Sequence, residues 1–137
     1  MGAVVELRKI HSTNGLFRLL IYTNKEQFEG SACSINKPMA EELLKLKPSR
    51  RTMQLEKCFI RVLSSLPENP TIKDIDVMFN PEYEVDVLRV LVSAYKQKPF
   101  SLIWPGKYEA GKLLYSAEGF SDYKLYDISD YDVVCAI

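Results

Sequence analysis

Seven residues separate the first two strand-like runs of this chain, and that short interval constrains its fold more than any motif does. Residues 16–23 (Leu16-Phe17-Arg18-Leu19-Leu20-Ile21-Tyr22-Thr23) read as a buried first strand, and residues 31–36 as the next. Only Asn24-Lys25-Glu26-Gln27-Phe28-Glu29-Gly30 lie between them. A parallel crossover takes about a dozen residues or more. The second strand must therefore be reached by a loop or a short turn, with no standard crossover helix. The same interval has no room for a phosphate-binding loop, which needs closely set glycines, a Lys for the phosphates and a Ser or Thr for Mg²⁺. Lys25 and a single Gly30, in the wrong order, do not supply one.

The rest of the chain alternates helical and strand patterns. Residues 3–11 suit a short helix with Val4, Leu7 and Ile10 on one face, closed by a turn at Asn14-Gly15. Asn36 is placed to cap a helix with Pro38 in its first turn and Met39, Leu43 and Leu46 as its apolar stripe, and Pro48 ends it. A second helix starts near Thr52, where Leu55, Cys58, Phe59, Val62, Leu63 and Leu66 fall on one helical face. Pro67, Asn69 and Pro70 break it. Residues 72–79 read as a strand, and Asn80-Pro81 opens a helix carrying Val85, Leu88, Leu91, Val92 and Tyr95. Residues 100–104 are a strand ending at Pro105-Gly106, with 112–116 returning beside it as a hairpin. Residues 132–137 make a last, very apolar strand. This order predicts a single three-layer α/β domain over residues 1–137 with a mostly parallel sheet and a C-terminal hairpin. There is no internal repeat or low-complexity segment.

Charge is balanced overall, with 18 basic and 18 acidic residues, so the whole molecule has no general attraction for nucleic acid or an anionic membrane. Its distribution is uneven. Residues 45–61 hold Lys45, Lys47, Arg50, Arg51, Lys57 and Arg61 against Glu56 alone. Residues 118–132 hold Glu118, Asp122, Asp127, Asp130 and Asp132 against Lys124. The three cysteines, Cys33, Cys58 and Cys135, are scattered over core-like segments, which suits reduced core thiols and neither a disulfide framework nor a zinc site. No stretch reaches the ~20 apolar residues of a membrane span, and the N-terminus lacks a signal-peptide layout. A cytoplasmic location is the expectation.

Catalytic signals are weak. His11, the only histidine, is a conceivable general base, but nothing places a Ser or Cys nucleophile near it. No serine sits in a nucleophile-elbow pattern. Asp74 and Asp76, two apart on one strand face, have a spacing a divalent metal could use, although solvated acids at a strand end are the plainer reading. The 45–61 bases straddle a helix break and could share one surface that holds nucleic-acid phosphates; the plainer reading is the solvated face of two amphipathic helices. The tail places Tyr115, Phe120, Tyr123, Tyr126 and Tyr131 among acids that would repel a phosphate backbone, so packing on the sheet or protein contact accounts for it better. An acidic aromatic tail and a basic helical patch on one molecule also suit head-to-tail or heteromeric assembly.

Three segments carry a family resemblance. The strand Ile72-Lys73-Asp74-Ile75-Asp76-Val77-Met78-Phe79 followed by Asn80-Pro81 is similar to an acidic Walker B strand with a Pro-containing helix start. Leu102-Ile103-Trp104-Pro105-Gly106, then Gly111-Lys112-Leu113-Leu114-Tyr115, resembles a Trp-x-Gly hairpin. Tyr115-Ser116-Ala117-Glu118-Gly119-Phe120-Ser121-Asp122-Tyr123, with Tyr126-Asp127, resembles a closing Tyr-Ala-Glu-Pro-Gly-His-Pro-acid-Tyr segment. Together they resemble BrxF, a small P-loop protein family of bacterial type 3 BREX phage-defence operons. The likeness runs over roughly residues 31–137 and is weaker upstream, where Ser34-Ile35, the cap Asn36, Leu43-Leu44 and Arg51 fit. The departures are specific: the phosphate loop and its helix are missing, Lys73 stands where the family has its Mg²⁺-ordering Asp, and Phe120 stands where it tends to have His. Asp76 alone keeps an acid of the pair.

The resemblance implies a degenerate P-loop NTPase core, a non-catalytic relative that holds neither cofactor nor catalytic metal. On that expectation the chain is a component of an anti-phage defence complex, acting through protein contacts, with DNA contact through Lys45, Lys47, Arg50, Arg51, Lys57 and Arg61, and able to form a homo-oligomer. The alternatives are a nucleic-acid-binding regulator using that patch and a residual nucleotide or Mg²⁺ site at Asp74 and Asp76.

Overall fold

Short apolar runs scattered along the chain assemble into one parallel sheet. The computed structural model describes residues 2–7 and 18–137. Its strands are β1 (Ala3–Val5), β2 (Leu19–Tyr22), β3 (Cys33–Ser34), β4 (Thr71–Lys73), β5 (Ser101–Ile103), β6 (Lys107–Glu109), β7 (Lys112–Tyr115), β8 (Lys124–Asp127) and β9 (Val133–Ala136). The helices are α1 (Asn36–Leu44), α2 (Arg51–Ser64) and α3 (Val87–Gln97). Six strands lie in the order β1-β9-β2-β5-β4-β3, and every neighbouring pair is parallel. A separate antiparallel sheet has the order β6-β7-β8. The α/β class, the mostly parallel sheet with flanking helices and the C-terminal hairpin are as expected from sequence. The expected turn at Asn14-Gly15, the strand start at Leu16-Phe17, Ile10 and His11 lie outside the described residues.

β9 shows why the sheet centre is legible. It lies between β1 and β2 and is buried at every position, as a strand covered on both faces must be. The α2 face is likewise as expected, with Leu55, Cys58, Phe59, Val62 and Leu63 buried. Cys58 and Cys135 are buried free thiols, while Cys33 is half-buried and also free. Burial pushes the Cys135 thiol up to about 12, which keeps it protonated and unreactive.

Four expectations need correction. Ala3–Val5 is an edge strand paired with β9, not part of a helix. The segment 72–79 is a strand only through Lys73, because Asp74 takes a left-handed conformation (φ 53°) and Asp76–Phe79 winds as a 3-10 turn. That turn buries Ile75, Met78 and Phe79 together, at helical spacing, where a continuous strand would have split them between faces. The helix expected from Asn80-Pro81 is one 3-10 turn, Pro81–Tyr83, broken at left-handed Glu84 (φ 48°); Asp86 then caps α3 by accepting the Arg89 backbone N–H at 3.0 Å. Finally, the hairpin partner of β7 is β6, not the strand at 100–104. The two-residue turn Ala110-Gly111 (φ 46° and 80°) has both central residues at positive φ, as the tight hairpin turns require.

Asn36 departs from its expected role as well. It is the first residue of α1, its side chain accepts the Val77 N–H at 2.8 Å and donates to Asp76 at 3.2 Å, and the cap position is Ile35, without a side-chain bond. The start of α1 is thereby fastened to the turn after β4.

Candidate functional site

β2 and β3 lie three strand positions apart, a span of about 14 Å at ~4.8 Å per strand. The chain covers it with the loop 23–32, which contains one 3-10 turn, Lys25–Gln27, and no crossover helix. The loop shares an open cleft of about 1060 Å³ with the ends of β4 and β5 and with β6. The cleft thus sits beyond the carboxyl ends of parallel strands, the usual ligand position in such sheets. Lys25, Lys73 and Lys107 line it against Glu26, Asp74, Asp76 and Glu109, with Phe28, Trp104 and Tyr108 as its aromatic surface.

The loop leaves little for an anion to bind. Asn24 accepts the Glu26 N–H at 2.9 Å, Gln27 N–H donates to the Asn24 carbonyl at 3.0 Å, and the Asn24 N–H donates to Gln27 Oε1 at 3.1 Å. This reciprocal capping occupies the amides of Asn24, Glu26 and Gln27, which a phosphate cradle at this turn would have to present. Thr23 Oγ1 and Gln27 Nε2 both donate to the Ala136 carbonyl, at 2.6 and 3.2 Å, mooring the loop to the end of β9. The short interval read from sequence is therefore a closed, self-bonded turn.

Asp74 and Asp76 both line the cleft, but they do not share a strand face, because the chain turns at Asp74. Asp76 already has two partners: Oδ1 accepts from Tyr115 OH at 2.9 Å and Oδ2 from Asn36 Nδ2 at 3.2 Å. Among the described residues no group of three or more His, Cys, Asp or Glu converges in a way that could hold a metal. The expected acidic pair thus resolves into one structural carboxylate and one carboxylate on the cleft wall.

β6 is the opposite wall. It is an edge strand, and all three of its residues line the cleft. Successive strand residues point to opposite faces, so the strand runs along the cleft edge-on. With Glu109 and Lys112 closing the two-residue turn as a hydrogen-bonded pair, the backbone N–H and C=O of Tyr108 face away from β7. Sequence reasoning missed this edge. The alternation of Lys107, Tyr108 and Glu109 before Gly111 was its available signal.

An aromatic run joins the small sheet to the large one. Phe79 stacks on Tyr115 (3.8 Å, 8°) and meets Trp104 edge-on at 5.8 Å; Trp104 meets Tyr126 at 6.0 Å, and Tyr126 meets Tyr131 at 5.8 Å. Tyr131 OH donates to Asp86 at 2.6 Å, and the Arg89 guanidinium lies over its ring. Burial, then the carboxylate bond, raises the pKa of Tyr115 and Tyr131. Burial, then the charge of Asp86, raises that of Tyr126, whose buried hydroxyl has only a marginal contact with the Val87 backbone and no well-formed hydrogen bond. Packing on the sheet, expected for the aromatic tail, is what Tyr115, Tyr126 and Tyr131 do, while Phe120 stands 67% exposed.

The basic stretch divides by role. Arg51 donates to the carbonyls of Leu43 (3.0 Å) and Leu46 (3.3 Å), closing the C-terminal end of α1. Lys45 and Arg61 share Glu42, at 2.6 and 3.9 Å. Lys47, Arg50 and Lys57 are exposed and have no ion-pair partner among the described residues. Of the six bases, three remain for a partner, and none lines the cleft. Comparisons of the chain with protein-family models, with curated proteins and with solved structures find no match.

Proposed function

We propose that this chain is a non-catalytic interaction component whose nucleotide site has been replaced by an open cleft, and that it works within a bacterial anti-phage defence complex of the BREX kind its sequence resembles. The observation that carries the non-catalytic part is the turn after β2, where the amides of Asn24, Glu26 and Gln27 are bonded within the turn itself. The defence setting rests on the sequence resemblance.

The cleft suits protein contact. The outward-facing backbone of Tyr108 and the half-buried Phe28 and Tyr108 side chains offer an extended segment a strand edge and an apolar wall. The nearly balanced wall charge favours neither a polyanion nor a polycation. A residual nucleotide site is the reading that the cleft's position at Asp74 and Asp76 also favours, and one experiment separates the two. Thermal unfolding in millimolar MgATP, MgADP or GTP is expected to match unfolding without ligand. A rise of several degrees means selective binding to the folded state and overturns the non-nucleotide reading. DNA contact through Lys47, Arg50 and Lys57 is the subsidiary part of the proposal. Its signature is salt-dependent binding that weakens when these three are neutralised.

A further inference from the structure

Two surface patches outside the cleft are matched in opposite senses. The first is the outer face of α2 with the α1–α2 turn. Arg50, Met53 and Lys57 recur at i, i+3 and i+7, which stacks them on one helix face, and Leu44 and Lys47 come from the neighbouring turn. Met53 is 81% exposed and Leu44 71%, the two most exposed large apolar side chains among the described residues. The bases around them have no ion-pair partner there. The second patch is the β7–β8 connection. Phe120 (67%) is exposed two residues from both Glu118 and Asp122, which also lack ion-pair partners among the described residues. Lys124 is the single base of that run.

Each patch has what the other lacks: exposed apolar side chains rimmed by unpaired charge, basic on one and acidic on the other. Scattered single hydrophobes on a surface are ordinary, but exposed apolar side chains with rims of opposite sign form complementary halves of a contact. A molecule of zero formal net charge has no overall repulsion to oppose meeting a copy of itself. We propose that the basic, apolar face of α2 in one copy docks on the acidic 116–125 segment of a second copy, assembling the chain head to tail. The two surfaces differ, so the contact is heterologous. Each added copy leaves one basic and one acidic patch open, and growth continues until a ring closes. Neither patch lines the cleft, so this contact stands or falls apart from the cleft's role, whereas it competes with DNA for Lys47, Arg50 and Lys57: one copy's basic patch holds one or the other.

The test is sedimentation velocity of the full chain from micromolar to millimolar concentration, at low and high salt. The expected result is a series of species beyond the dimer that grows with concentration and dissolves with salt. Arg50→Gln with Met53→Ser disables the basic patch, and Phe120→Ser with Asp122→Asn disables the acidic one; neutral replacements keep the two altered faces from attracting each other. Each variant alone should remain monomeric, while an equimolar mixture should form a 1:1 dimer and stop, since each supplies the half the other lacks. Should either fail to fold by circular dichroism, the single changes Arg50→Gln and Asp122→Asn answer the same question. A wild-type chain that stays monomeric throughout, a symmetric dimer that persists in either variant, or a mixture that stays monomeric overturns the proposal.

Discussion

The basic segment 45–61 and the acidic segment 118–132 look like mirror images in sequence, yet the fold uses them differently. In the basic segment the charges themselves are divided: Arg51 closes a helix end, Lys45 and Arg61 share Glu42, and three bases face solvent unpaired. In the acidic segment the aromatics are divided instead. Tyr126 and Tyr131 pack into the junction of the two sheets, while Phe120 stays outside. The acids there cap or rim; Asp127, for instance, accepts the Ser129 N–H. A charge run in a sequence is therefore not yet a surface. Neighbours in the run take opposite roles according to which backbone groups the fold leaves to be satisfied.

The largest expected effect breaks the acidic segment at its packed aromatic. Tyr126→Ala should cost about 3–5 kcal/mol in denaturant unfolding, as large-to-small changes at buried aromatics do, whereas Phe120→Ala should stay within about 0.5 kcal/mol. Equal effects at the two positions would dissolve the distinction. In the basic segment the matching contrast lies between adjacent arginines. Arg51→Ala should cost about 2 kcal/mol through two lost charged hydrogen bonds, and Arg50→Ala about 0.5 kcal/mol or less. A finer contrast separates two hydroxyls. Tyr115→Phe, which loses the bond to Asp76, should cost about 1 kcal/mol. Tyr126→Phe removes a buried hydroxyl whose contact with the Val87 backbone is marginal and should change stability by about 0.5 kcal/mol or less.

Alkaline unfolding sharpens the same region. Tyr115, Tyr126 and Tyr131 all have pKa values raised by burial in the folded state. A raised phenol pKa favours the folded state fully below the unfolded value of about 10. Above it the unfolded chain loses its protons first, so stability falls with rising pH. Urea midpoints should be flat through neutral pH and decline above about 10. Replacing Tyr115 and Tyr131 by Phe should lessen the decline, and an unchanged slope would count against these two residues as its source. The smallest effect is at the hairpin turn, where Ala110→Gly relieves a left-handed alanine and should gain up to about 1 kcal/mol, read as a shift in the urea midpoint.

The legible parts of the sequence were those fixed by local pattern with strong burial. The α2 face, the continuous apolar run of β9 and the interval too short for a crossover helix all read directly from residue spacing. What did not read directly depends on distant partners. Ala3–Val5 is a strand because β9 lies beside it, more than 125 residues away in sequence. The end of β4 is set by a left-handed Asp74 that brings Ile75, Met78 and Phe79 into the core together, and the spacing of those three was its only local sign. The acidic pair at 74 and 76 was visible as residue types. Its division was not, because the Tyr115 and Asn36 bonds to Asp76 span 39 and 40 residues. One wall of the cleft is the short interval 24–30 itself; Asn24 and Gln27 stand there at capping-box spacing, but the bonds that moor the turn run to the Ala136 carbonyl, more than 100 residues away.

The most direct test of the closed loop is to follow the backbone amides of Asn24, Glu26 and Gln27 by NMR while MgATP is titrated into the full chain. If Asn24 and Gln27 hold those amides as described, their resonances stay where they are throughout the titration. Saturable shifts centred on these three amides would mean that the loop opens to cradle a phosphate, and would contradict the account.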